Sequence, residues 1–167
     1  MSVKKGCFST IKVVGISGVG KTTVINGVIK QLPEIRHICF SEYLKKYGHL
    51  AETHMMAFLR KCDGLVLMDE HMEIGEDDLS GTYKEENTIG IFVIEATSQD
   101  ILKRRKSDQT RVRCDDIEKI VIEQNNARKR AVTLSVSNVI PILFTKSGSV
   151  DENIELLNLF INLLRQK

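Results

Sequence analysis

Between Gly15 and Thr23 the chain reads GISGVGKTT. Gly15, Gly20, Lys21 and Thr22 have the spacing G-x-x-x-x-G-K-[ST] of a loop that wraps phosphate. Glycine at 15, 18 and 20 lets successive backbone N–H groups turn inward around phosphate oxygens, where a Cβ would block positive φ and close approach. Lys21 is placed to reach β- and γ-phosphates, and the Thr22 hydroxyl to coordinate Mg²⁺. Ser17, Gly18, Val19 and Thr23 complete the stretch expected to line the phosphate chain. A bare strand-to-helix turn would need neither the lysine nor the hydroxyl.

Mg²⁺ at such a loop also calls for a carboxylate from a neighbouring strand end. The stretch LVLMDEHM, residues 65–72, supplies Asp69 after four apolar residues. Asp69 reads as the metal carboxylate, or else as a loop cap. Adjacent strand residues point to opposite sides, so Glu70 should face away from Asp69 and His71 should return to its side. His71 is a candidate substrate contact or a structural histidine.

The strongest local charge imbalance lies between Lys103 and Arg113, with six basic residues against one acid, Asp108. Guanidinium groups here can fold over a phosphate chain and neutralise charge during phosphoryl transfer; the bland alternative is a solvated helix face. In the stretch between Lys21 and Asp69, Arg36, Tyr43, Lys45, Lys46 and Arg60 could grip an acceptor. Arg60 is preferred, because a guanidinium meets a dianionic phosphate with two hydrogen bonds.

These residues need elements to position them. Ile11 to Ile16 is short, β-branched and bounded by glycine, which predicts a buried strand, and a helix should run from Lys21 to about Leu32 before Pro33. A second strand is expected through HICF, then a helical region through SEYLKKYG and HLAETHMMAFLRKC with Leu50, His54, Ala57, Phe58 and Lys61 near helical spacing. GLVLMDEHM and TIGIFVIEA predict two more strands, separated by a polar loop over 73–87. SQDILKRRK predicts a short helix capped by Ser98. A long helix should follow with Asp115 and Glu118 as a capping box and Ile117, Ile120, Val121, Ala127, Ala131 and Leu134 inward. VIPILFT supplies a fifth strand, and Ser149 with Glu152 caps a last helix whose stripe is Ile154, Leu157, Phe160, Ile161 and Leu164. Strands alternating with helices imply an α/β fold, a parallel sheet covered on both faces.

GISGVGKTT, VLMDEHM and RRKSDQTRVRCDD before IEQNNARKRA together resemble the archaeal type of adenylate kinase, within the P-loop nucleoside monophosphate kinases. The resemblance runs in order over most of the chain and is closest in the last third. It implies a single three-layer P-loop NTPase domain over residues 1–167, with a five-stranded parallel sheet, helices on both faces, an acceptor-binding region about 36–62 and a short lid about 104–115. It also implies that Lys21 and Thr22 hold ATP and Mg²⁺, that Arg105, Arg111 and Arg113 match catalytic lid arginines, and that TKSGS lies near the donor adenine. The chain departs from the family where Glu70 replaces the usual threonine of Asp-Thr-His, where Cys114 intervenes before Asp115, and in its short acceptor region.

The expected activity is therefore transfer of the γ-phosphoryl of Mg-ATP to a nucleoside monophosphate, AMP foremost. The alternatives are a P-loop ATPase or nucleotide-gated regulator in which Glu70 positions water, and a nucleotide binder without turnover. Small-molecule nucleotides are the expected partners. Lys plus Arg number 24 and Asp plus Glu 22, a net charge of +2, which gives no global reason to expect nucleic acid or a membrane surface. Cys7, Cys39, Cys62 and Cys114 form no C-x-x-C pair, which argues against structural zinc and a disulfide framework. No signal region and no stretch near the ~20 apolar residues of a membrane span is present, so a cytoplasmic protein is expected. Oligomeric state is not legible.

Overall fold

The computed structural model describes residues 7–70, 87–110, 116–146 and 148–166. Its five strands are β1 (Phe8–Val14), β2 (Arg36–Cys39), β3 (Gly64–Glu70), β4 (Thr88–Glu95) and β5 (Ile142–Lys146). They form one all-parallel sheet in the order β2-β3-β1-β4-β5. Parallel neighbours need crossovers, and α1 (Lys21–Gln31), α2 (Phe40–Tyr47), α3 (Ala51–Leu59), α4 (Ser98–Ser107) and α5 (Ile117–Asn138) lie in them, while α6 (Val150–Arg165) follows the last strand. A 3₁₀ turn, Gly48–Leu50, joins α2 to α3.

Alternation along β1 explains the layers. Ile11 and Val13 face α1 and α6, packing with Val24, Ile25, Val28, Leu157 and Ile161. On the opposite face Val66 and Met68 of β3 meet Met55 and Leu59 of α3, while Val14, Ile91 and Val93 meet Ala131 of α5. Both faces are covered, which is why the strands read as near-continuous apolar runs. No helix among the described residues is long and apolar enough to cross a membrane.

Four local expectations are corrected. Helix α4 is capped by Thr97, not Ser98: Thr97 accepts from the Asp100 N–H at 3.1 Å and donates to the Asp100 carboxylate at 2.7 Å, whereas Ser98 would have apolar Ile101 in the reciprocating position. Helix α5 is capped by Asp116, which accepts from the Glu118 N–H, rather than by Asp115, which lies outside the described residues. Helix α3 buries Ala51, Met55 and Leu59, one position on from the expected Leu50, His54 and Phe58. The 3₁₀ turn sets that phase, and the small side chain of Ala51 permits close approach. On α5, Ile117 and Val121 of the expected inward stripe are exposed, while Ile120, Ala127 and Ala131 are buried.

Val139 ends α5 in the left-handed region, φ 55°, and is 89% exposed. Its geometry closes the helix, with the Ile140 N–H donating to the Ser135 carbonyl at 2.9 Å, but a β-branched residue is strained there. Val139→Gly should stabilise the protein by about 1 kcal/mol. Thermal unfolding checks this: the midpoint should rise by about 3 °C, and a fall would contradict the strain.

Candidate nucleotide site

Strand β1 ends at Val14, and the phosphate loop follows at once. Register places Val13 opposite Asp69 and Val14 opposite Glu70, so the loop starts level with the carboxylate at the end of β3. The Gly15 N–H donates to the Glu70 carbonyl at 3.3 Å. A Cβ on Gly15 would stand 2.7 Å from the Ile94 carbonyl oxygen, so only glycine lets the loop leave the sheet this close to β4. Gly18 and Gly20 take φ of 95° and 100°, and Gly20 opens α1 from the left-handed region. The first turn of α1 carries no acid, leaving the positive end of its dipole uncompensated by side chains.

Lys21 is buried, and its ammonium donates to the carbonyls of Gly15 and Ile16 and stands 3.7 Å from Asp69 Oδ1. Thr22 Oγ1 donates to Asp69 Oδ2 at 3.2 Å. The structure therefore joins groups 47 residues apart, the hydroxyl of the loop and the carboxylate of β3. Asp69 is 2% exposed and its Oδ1 accepts no hydrogen bond from the described residues. A buried carboxylate oxygen with no hydrogen bond among the described residues and only the Lys21 ammonium at 3.7 Å, beside a hydroxyl, fits a hard divalent cation with oxygen ligands such as Mg²⁺.

Glu70 turns the other way. Its carboxylate lies 3.3 Å from the ammonium of Lys12, which is itself buried on the opposite face of β1 from Val13.

Arginines approach the loop from α4. Arg104 Nη1 donates to the Gly18 and Val19 carbonyls at 3.3 and 3.0 Å. Arg105, 5% exposed, donates through Nε to the Ser17 carbonyl at 2.9 Å and through Nη2 to Glu123 at 2.7 Å. Residues 104–107, expected within the lid, belong to α4. Arg104 was not singled out by the sequence; the available signal was its position beside Arg105 in the last turn of a helix that packs next to the loop. Arg111, Arg113 and His71 lie outside the described residues.

The structure places Arg60 away from the loop. This residue closes α3, donating its N–H to the Met56 carbonyl, four residues before β3 begins at Gly64. Gly64 pairs with Phe8 at the start of β1, so Arg60 sits at the N-terminal edge of the sheet, about 17 Å of strand away from Asp69. A helix returning between parallel strands must end at that edge.

His37 on β2 was also missed. Its Nε2 is buried with no hydrogen-bond partner among the described residues, and burial pushes the imidazole below its ordinary value, against the opposing pull of Asp69 and Glu42. The unfolded chain takes up a proton that the folded chain resists. Stability from this group is thus complete above about pH 6.5 and falls as the pH drops below it. Urea unfolding between pH 7 and 5 should show a shallower loss in His37→Leu than in the wild type; equal slopes would contradict it.

No protein-family model matches the chain, and no curated protein matches it. Solved structures do superpose. Shikimate kinase from Bacteroides thetaiotaomicron aligns with a TM-score of 0.62 at 10% identity, covering 92% of this chain and 98% of that one. An unliganded sugar kinase from Janibacter gives 0.58 at 10% identity, with 93% and 95% covered. Shikimate kinase from Acinetobacter baumannii, in complex with shikimate, gives 0.53 at 18% identity, with 93% and 94% covered. At these identities the comparison concerns architecture: the five-stranded parallel sheet with its covering helices has the fold of P-loop kinases.

Proposed function

We propose that the chain is a nucleotide kinase that transfers the γ-phosphoryl of Mg-ATP to a nucleoside monophosphate, AMP foremost. The observation that carries this reading is the contact of Thr22 with Asp69 at 3.2 Å, with Lys21 beside both. It brings the Lys21–Thr22 end of the loop and Asp69 of β3, from distant parts of the sequence, to one point. Thr22 and Asp69 would hold Mg²⁺, which when bound neutralises phosphate charge. Lys21 orients the β- and γ-phosphates, and the loop N–H groups of Gly15 to Thr23 fix the rest of the chain. Arg111 and Arg113 are assigned the charge that spreads over the transferring group, so positioning and electrostatics suffice without a general base.

The monophosphate acceptor rests on the resemblance of RRKSDQTRVRCDD and IEQNNARKRA to the adenylate kinase pattern. With Arg60 at the far edge, Tyr43, Lys45 and Lys46 of α2, the helix that begins at the loop-bearing edge of the sheet, remain the candidates for the acceptor. The hydrolytic alternative is disfavoured because Glu70 is engaged by Lys12 on the other face.

Purified protein, Mg-ATP and each monophosphate in turn, with ADP and inorganic phosphate followed separately, test the reading; shikimate belongs in the panel. ADP formed in step with loss of AMP and without free phosphate is the expected result. Phosphate released whatever the acceptor would overturn the kinase, and transfer to shikimate would overturn the monophosphate.

A further inference from the structure

We infer that Arg105 is a positioning residue: with Glu123 behind it, it holds the phosphate loop in its anion-binding shape in the absence of nucleotide. The functional consequence rests on reading Gly15 to Thr23 as the donor site; the strut itself does not.

A buried guanidinium is costly unless its donors are used, and here two donors of one planar group serve two elements. Nε donates to the Ser17 carbonyl at 2.9 Å, and Nη2 meets Glu123 of α5 at 2.7 Å. The stem packs beneath the loop: a Cβ on Gly18 would stand 3.3 Å from Arg105 Cγ and 3.4 Å from Ile101 Cγ2. Arg104 takes the next two carbonyls, of Gly18 and Val19. Three successive loop carbonyls are therefore held by two neighbouring guanidinium groups. A trans peptide sets its N–H opposite its carbonyl, so holding the Ser17 and Val19 carbonyls on the arginine side turns the N–H groups of Gly18 and Gly20 to the other side. That is the side from which an anion must be approached.

Glu123 makes the strut directional. Without it, the guanidinium could rotate about its stem and release Ser17. The helix behind Glu123 is itself fastened to the end of β4, where Arg128 meets Glu95 through two bonds of 2.6 Å and Gln124 accepts from the Ala96 N–H at 3.3 Å. The path β4, α5, Glu123, Arg105, Ser17 thus ties the loop to the sheet by a second route besides β1. A lysine cannot replace this arginine, since a point charge on a flexible stem does not hold two partners in the fixed geometry of a planar group.

Millisecond-quench hydrogen exchange on nucleotide-free protein tests the strut, comparing wild type with Arg105→Ala, Arg105→Lys and Glu123→Gln. Amides of residues 15–23 should exchange about tenfold faster in both arginine variants and less so in Glu123→Gln, while β1 and α5 keep their protection. KM for Mg-ATP should rise about tenfold in Arg105→Lys with a smaller fall in kcat, and the retained charge should fail to rescue it. If Arg105→Ala does not fold, Arg105→Lys and Glu123→Gln decide. Unchanged loop exchange in those two variants would overturn the strut. Faster exchange with unchanged Mg-ATP affinity would overturn the positioning role. A wild type that binds no Mg-ATP would instead defeat the donor-site reading, and the exchange result would still stand.

Discussion

Lys21→Met is expected to lower ATP turnover by about 1,000-fold or more while the protein stays folded. The ammonium is held among the Gly15 and Ile16 carbonyls and lies 3.7 Å from Asp69, within reach of the loop that is to carry the phosphates. Methionine keeps the length and apolar stem of lysine but brings no charge, so the developing negative charge loses its nearest fixed cation. The sheet core, built from Ile11, Val13, Phe92 and their partners, does not depend on that ammonium. Circular dichroism and the unfolding midpoint separate loss of chemistry from loss of fold. Turnover near the wild-type rate in a folded Lys21→Met protein would remove the lysine from the site.

Asp69→Asn should have the next largest effect, a loss of about 100-fold in turnover together with a higher Mg²⁺ requirement. Asparagine matches the shape of aspartate and can still accept the Thr22 hydroxyl, so the change isolates the charge. Its free oxygen is a weaker ligand for a hard cation than a carboxylate. A Mg²⁺ titration of turnover should shift its midpoint upward by at least about tenfold. An unchanged midpoint would mean that Asp69 caps the loop and does not serve the metal.

Much of this was legible because several residues each carried two consistent signals. The β-branched run before Gly15 and the lysine after Gly20 agree on strand, loop and helix, and LVLMD ends its apolar run at Asp69, which meets the Thr22 hydroxyl. Ser149 and Glu152 form the expected capping box in full. The misses came where one signal stood alone. Thr97 and Ser98 are both able caps, and only the reach of Asp100 decides between them. The face of α3 turned by one residue because the 3₁₀ turn before it leaves no mark on hydrophobic spacing.

The arginines teach the same lesson at the level of the site. A cluster of basic residues looks alike whether it faces phosphate, solvent or backbone carbonyls. Arg105 proved to be buried against Ser17 and Glu123, a partner 18 residues away that no spacing rule indicates. Arg60 had the right chemistry at the wrong edge of the sheet, since chemistry is read from residue type whereas position follows from the direction of α3.

The central claim is that Lys21, Thr22 and Asp69 build a single metal-nucleotide site. Electron paramagnetic resonance with Mn²⁺ in place of Mg²⁺ addresses it most directly. With ATP present, the protein should bind one Mn²⁺ per chain, with ³¹P coupling from the nucleotide, and the bound signal should fade in Asp69→Asn and in Thr22→Ala. Mn-ATP that keeps its free-solution spectrum in the presence of excess wild-type protein, or a bound signal unchanged in both variants, would contradict the account.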